Sequence, residues 1–243
     1  MSNKNSTVYI LSYTVAITMF CGIALYVVSN VLKPYQDANV ELDQKKRILA
    51  TFVKLDDTWD KKKIEQVYSD RVKGFVINYK GELQKDKQVK DIDIEKEHKL
   101  APEKRLYKVF EVSDEKNKNK IQYYVFAGSG KGLWDKISTY FALKSDLNTF
   151  EGVVFDHKAE TPGLGARIKD DEAVYSRYAG KTIFEGDKLE PVIMMKGEGN
   201  DYSGNSHAVD GMSGATKTAI GVNEMMVEYL KAYENFIKSK KNK

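Results

Sequence analysis

The chain has 243 residues, long enough for one sizeable domain with a real core and something small beside it. A hydrophobic fraction of 42% with 30% charged residues is globular, and a mean hydropathy of -0.51 excludes a polytopic membrane protein. The 39 basic and 35 acidic residues leave a net charge of +4, too mixed a balance for a nucleic-acid-binding surface. Basic runs such as 116–120 and 238–243 read as solvated faces and a frayed tail.

Residues 8–32 run for 25 positions without a charge. As a helix this segment is roughly 37 Å long, enough to cross a bilayer with some tilt. Tyr9 and Tyr13 near one end, with Tyr26 and Tyr35 near the other, resemble interfacial aromatic anchors. No small-x-small cleavage site precedes Lys33-Pro34, so residues 1–34 are expected to be a retained transmembrane anchor rather than a cleaved signal peptide. Pro34 is expected to end it. Lys4 lies before the segment and Lys33, Lys45, Lys46 and Arg47 after it. That count would put the larger domain, residues 35–243, in the cytoplasm, but long domains translocate regardless of charge and the side stays open. The single cysteine, Cys21, sits inside this segment. The rest of the chain therefore has no disulfide framework and no cysteine-ligated metal or cluster, and redox chemistry there must come from an organic cofactor or from partners.

Beyond Pro34, the apolar positions from Val40 to Val53 predict an amphipathic helix, and 60–72 a second one with Ile64, Val67 and Tyr68 on one side. Strands are expected at 75–79, 106–112, 121–126, 137–143, 149–155 and 192–195, with 106–112 and 121–126 forming a hairpin. A short helix is expected at 171–178. Last comes a helix with Ile220, Met225, Met226, Tyr229, Leu230, Tyr233, Phe236 and Ile237 as its buried face. Strands between N- and C-terminal helices indicate an α+β fold with a mainly antiparallel sheet flanked by helices.

Two stretches depart from this regular pattern. Asp210-Gly211-Met212-Ser213-Gly214-Ala215-Thr216 is small, flexible and hydroxyl-bearing, and puts Thr216 at the start of the last helix. Free N–H groups and the positive dipole end there favour an anion such as a phosphate, although an ordinary helix-capping turn accounts for the same residues. Glu160-Thr161-Pro162-Gly163-Leu164-Gly165 is a tight loop with an apolar side chain between two glycines. A planar ligand against Leu164 and a buried plug both explain it. Neither phosphate-cradling glycine motif is present. Trp134 precedes a strand and suits either cofactor stacking or core packing, and Trp59 is assigned to packing. G-x-S-x-G is absent, so Ser213 with His207 does not make a hydrolase site. His98, His157 and His207 lack the spacing of a ligand pair, so no metal site is expected, though His157 and His207 flank the two unusual loops.

Together these stretches resemble one family. His207 to Thr216 is similar to a covalent flavin attachment motif, an Asp ahead of Ser-Gly-Ala-Thr. With Glu160–Gly165, Gly130-Lys131-Gly132-Leu133-Trp134 and one N-terminal anchor, it resembles the NqrC family over nearly the whole chain. Members of that family belong to the Na+-translocating NADH:quinone oxidoreductase. The G-type flavoprotein of the Rnf electron-transport complex shares the flavin motif and is the alternative. A membrane-tethered, non-catalytic binding or assembly module is another.

The resemblance implies FMN joined through its phosphate to Thr216, with Ser213, Gly214 and Ala215 shaping the turn. It implies that Thr161 and Leu164 line the ring and that Glu160, Gly163 and Gly165 set that loop. A flavin transferase using FAD as FMN donor would recognise Asp210, Gly211, Ser213, Gly214, Ala215 and Thr216. The implied role is a redox carrier, not the NADH-oxidising site, in a bacterial inner-membrane complex of six subunits that passes electrons from NADH to ubiquinone and exports Na+. The domain would lie on the periplasmic side. Met212 in place of Leu or Ile, and Ala166-Arg167 in place of Gly-Glu, are departures from many relatives.

Overall fold

The computed structural model describes residues 6–56 and 58–241. Lys4 and residues 242–243 of the basic tail, used above, lie outside the described residues. The chain divides into two compact units, one reaching to Gln44 and one starting at Lys45.

Helix α1 spans Thr7–Ala50 and is, among the described residues, the one helix long and apolar enough to cross a membrane, with a window of mean hydropathy 2.1. Pro34 lies inside it instead of ending it, and the separate helix expected after Pro34 is its continuation. Proline removes one N–H from the ladder, and the intact turns on either side carry the helix past that gap.

In the second unit, α2 (Lys61–Arg71) is capped by Asp60, which accepts the Lys63 N–H at 2.8 Å. Strands β1 (Val72–Asn78), β2 (Leu106–Ser113), β3 (Ile121–Lys131), β4 (Lys136–Lys144) and β5 (Phe150–His157) form an antiparallel sheet in sequential order, and the short α3 (Ile94–Glu97) lies in the β1–β2 connection. After β5 come two single turns, α4 (Arg167–Asp170) and α5 (Glu172–Tyr175). The pairs β6 (Phe184–Glu185) with β7 (Lys188–Leu189) and β8 (Ile193–Met194) with β9 (Ala208–Val209) follow. The last helix, α6, spans Thr216–Lys241.

Side chains alternate across the sheet, and both faces are buried. Val109, Phe126 and Phe141 point into a cluster with Val222, Met225, Met226, Tyr229, Tyr233 and Phe236 of α6. Phe110, Val125, Ala127, Tyr140 and Ala142 point the other way, onto Ile48 and Phe52. The fold is thus α+β with helices on a mainly antiparallel sheet. Strand β3 runs five residues beyond the expected stretch because Gly128 and Gly130 bring α6 close. A Cβ on Gly128 would stand 3.2 Å from the Tyr229 ring, and one on Gly130 would stand 2.7 Å from Met225 Cβ. Ile220 is 43% exposed, so it belongs to the outer face of α6 and not to the buried stripe.

Candidate functional site

The site forms where α6 begins. The turn from Asp210 leads into the helix, and its first bond at this end is Ala219 N–H to Ala215 C=O at 3.0 Å. The N–H groups of Thr216, Lys217 and Thr218 therefore have no intrahelical acceptor. Thr216 itself is exposed, while Met212 and Ala215 are buried and pin the turn to the core. Gly214 adopts φ 73°, a left-handed conformation, and a Cβ there would come within 2.8 Å of Leu164 Cδ2. The turn that begins at Asp210 and the Gly-Leu-Gly loop therefore touch at this residue, and only glycine meets both demands.

A cavity of about 210 Å³ opens at this contact. Glu160, Thr161, Leu164, Gly165, Gly214, Ala215 and Thr216 line it, joined by Leu133, Lys217 and Thr218. Most of the expected site residues are thus brought together. Gly163, at φ 74°, turns the loop outside the cavity wall, and Ser213 also lies outside it. Asp210 and Gly211 are not at the cavity either: Asp210 borders a separate cleft with Arg177, Lys181 and Tyr202.

Glu160 fastens the interior. Only 4% exposed, it accepts the Thr218 hydroxyl on Oε2 at 2.5 Å and the Trp134 N–H on Oε1 at 3.0 Å. His157 Nδ1 in turn accepts the Glu160 N–H at 3.3 Å. Trp134 is not in the core: it is 65% exposed, and its Nε1–H donates to Thr161 Oγ1 at 3.2 Å. His207 lines a different surface hollow with Thr182, Phe184 and Ser206, away from this cavity. Trp59 is half-buried under Lys63, whose Nζ lies 4.6 Å from the ring centroid.

Sequence reasoning missed the charged groups behind the turn. Glu198 accepts the Ser213 N–H at 2.9 Å and a two-pronged contact from Arg167 at 2.9 and 2.6 Å. The Arg167 hydrogen bonds, helped by the Ser213 N–H, hold the Glu198 carboxyl down at about 2. Arg167, one of the departures noted above, also pairs with Asp171 at 2.8 Å. Arg177 donates to the carbonyls of Asp210 and Gly211 at 3.0 and 2.6 Å. Partial burial works against ionisation of Asp210, but bonds from Gly199 and Asn200 keep its carboxyl below the ordinary range. A glycine-flanked carboxylate at 198 was the available signal, but nothing local ties it to residues 167 and 213.

These features suit a flat, phosphate-bearing ligand. Free N–H groups at a helix start favour the anion, and Leu133 and Leu164 offer apolar walls. The class this defines is an FMN-binding domain, and the family model for the FMN-binding domain matches residues 132–231. The solved structure of the Na+-translocating NADH-quinone reductase protein NqrC from Parabacteroides distasonis superposes with a TM-score of 0.73 at 31% identity, covering 85% of this chain and 96% of that one. The Shewanella oneidensis NqrC structure gives 0.69 at 28% identity, covering 83% and 97%. The Pseudomonas aeruginosa NqrC is 26% identical over 242 residues, covering 93% of this chain and 92% of its own. The chain belongs to the NqrC family of the Na+-translocating NADH-quinone reductase and is a flavoprotein of that kind.

Proposed function

We propose that Thr216 carries FMN through a phosphoester bond and that the chain works as a redox carrier between NADH and quinone in a complex that exports Na+. One observation carries this reading: an exposed threonine begins a 26-residue helix at the rim of a cavity walled by Leu133 and Leu164. The flavin supplies the electron-carrying chemistry, and the residues of the chain hold and shelter it. The N–H groups of Thr216, Lys217 and Thr218 face the single negative charge that a phosphodiester retains. Thr161 and Leu164, with Leu133 from the turn between β3 and β4, flank the ring, and Glu160 with Gly163 and Gly165 holds the loop of Thr161 and Leu164. Ser213, Gly214 and Ala215 shape the turn that a flavin transferase recognises, together with Asp210 and Gly211, when it delivers FMN from FAD. The relatives reported above are NqrC chains, which favours this complex over the Rnf complex.

In this reading residues 1–34 anchor the chain in the inner membrane, with lipid around α1 and the other proteins of the complex as partners, and residues 35–243 lie on the periplasmic side. The family resemblance supports that side against the basic-residue count. Protease access to the domain in spheroplasts with intact inner membranes tests it.

The decisive experiment is intact-mass measurement after expression with a flavin transferase. The wild type gains the mass of one FMN and fluoresces in a denaturing gel. Thr216→Ala does neither and keeps its fold. Covalent flavin on the variant would rule out Thr216 as the attachment residue.

A further inference from the structure

Residues 195–200, which follow β8, lie across the turn that follows β9. The approach is so close that a Cβ on Gly211 would overlap Met195 C=O and stand 2.5 Å from the Gly197 carbonyl oxygen. Gly197 at φ 93° and Gly199 at φ 92° both take the left-handed conformation. Glu198, between them, reaches out of this strap in two directions. One bond goes to the Ser213 N–H of the attachment turn at 2.9 Å. The paired contacts at 2.9 and 2.6 Å go to Arg167, two residues beyond the Gly-Leu-Gly loop. Arg177, with its Nη2 at 3.6 Å from Glu198 Oε1, holds the carbonyls of Asp210 and Gly211. The Asp210 carboxylate closes the ring by accepting from Gly199 N–H at 2.7 Å and from Asn200 Nδ2 at 3.2 Å. None of these bonds uses the hydroxyl of Ser213 or of Thr216, and both residues are exposed.

We propose that Glu198, clamped by Arg167, is a positioning residue for flavin transfer: it holds the acceptor turn in the shape in which the transferase takes it. The inference rests on the reading of Thr216 as the attachment residue. In the transfer, Thr216 Oγ attacks the riboflavin-side phosphorus of FAD, and a new P–O bond forms as the P–O–P anhydride bond breaks. AMP leaves with that electron pair, and the hydroxyl proton passes to a base of the transferase. No electron is gained or lost. A loose turn containing Gly211 and Gly214 would sample many backbone states, and ordering it would cost entropy at each encounter. The clamp meets that cost during folding and leaves the two hydroxyls presented. Apparent acceptor affinity scales with the fraction of chains in the competent shape, so loosening the turn raises the acceptor KM and spares kcat.

The test measures transfer to the full chain in detergent with purified flavin transferase and FAD, following covalent flavin by mass and in-gel fluorescence. Glu198→Ala is expected to raise the acceptor KM about tenfold while kcat changes less than about twofold. Glu198→Gln keeps an oxygen for the Ser213 N–H and is expected to recover part of that loss. Arg167→Ala, which frees the carboxylate from its clamp, is expected to fall between wild type and Glu198→Ala. A direct readout accompanies these: the Ser213 amide exchanges with solvent faster in Glu198→Ala than in wild type. Should Glu198→Ala fail to fold, Glu198→Gln and Arg167→Ala carry the same comparison. A wild-type KM in Glu198→Ala, or a lower one, overturns the clamp while leaving Thr216 as acceptor. A wild-type chain that takes up no flavin overturns the reading of Thr216 and the clamp with it.

Discussion

The Thr218 hydroxyl donates to Glu160 Oε2 at 2.5 Å, joining the first turn of α6 to the loop after β5 across 58 residues of sequence. Both residues are buried, at 1% and 4% exposed, so the bond is largely shielded from bulk water. Thr218→Val keeps the shape, removes the hydroxyl and leaves one carboxyl oxygen short of a partner. The expected loss is about 1–3 kcal/mol, while Thr218→Ser keeps most of the stability. Urea unfolding of the three proteins checks this. A valine variant as stable as wild type would mean that the bond contributes nothing to holding the site together.

Gly221 offers a prediction against the usual helix scale. Replacing a helix-interior glycine by alanine ordinarily stabilises by roughly 0.5–1 kcal/mol. Here a Cβ would overlap the Lys131 carbonyl oxygen and stand 3.2 Å from Gly132 Cα, so backbone must move. Gly221→Ala is expected to destabilise by about 1–3 kcal/mol, the cost of overpacking. Gly22, whose Cβ would meet nothing within 4 Å, lacks this constraint. A thermal unfolding midpoint that rises in Gly221→Ala would refute the close approach of α6 to the end of β3.

Periodicity made the regular elements readable: the charge-free run of α1, the alternating strands and the apolar stripe of α6 each repeat one physical demand along neighbouring residues. The two special loops were readable for a different reason, since glycine, proline and hydroxyl residues cluster where backbone must turn or admit a ligand. What escaped was set by distant partners. Nothing near Arg167 or Ser213 in sequence points to Glu198, which lies 31 residues from one and 15 from the other. The far end of β3 escaped for the same reason. Ala127 to Gly130 are poor strand formers in isolation, and they extend the strand because small residues let Tyr229 and Met225 of α6 come close. The helix through Pro34 shows that one missing ladder bond need not stop a helix whose flanking turns are sound.

Tyr233 repairs the sheet where it begins to open. The β2–β3 register runs as far as Val109 opposite Phe126, so the next pair would be Lys108 and Ala127. At that position the Tyr233 hydroxyl lies 2.9 Å from the carbonyl oxygens of both Lys108 and Ala127, and accepts the Ala127 N–H at 3.3 Å. With one proton, it donates to one carbonyl at a time. Tyr233→Phe keeps the ring against Phe126, whose centroid is 4.7 Å away, and leaves buried backbone groups unpaired. A loss of about 1–3 kcal/mol is expected. Faster exchange of the Ala127 amide should accompany it. An unchanged amide in the folded variant would show that the hydroxyl is not what satisfies this backbone.

Lys108 is a cost that the fold carries on the sheet face away from α6. It alternates with Tyr107 and Val109, which face α6, and so shares the side of Phe110 and Val112. The residue is 4% exposed, and burial, opposed by Asp93, pulls its ammonium down from 10.5 to about 8. Because the folded value is the lower one, the unfolded chain binds more protons between about 8 and 10.5, and stability rises with pH across that window. Below about 8 the lysine is charged in both states and the penalty is constant, on the order of 3 kcal/mol. Lys108→Met removes the charge and keeps much of the side-chain volume. It is expected to stabilise the protein by about 1–3 kcal/mol at neutral pH, with the gain shrinking as pH climbs toward the unfolded value. Urea unfolding of both proteins at neutral and alkaline pH measures the difference. A methionine variant less stable than wild type at neutral pH would mean that the lysine ammonium makes a favourable contact outweighing its desolvation. Because this face lies opposite the α6 side of the sheet, the flavin loading proposed for Thr216 should be the same in both proteins.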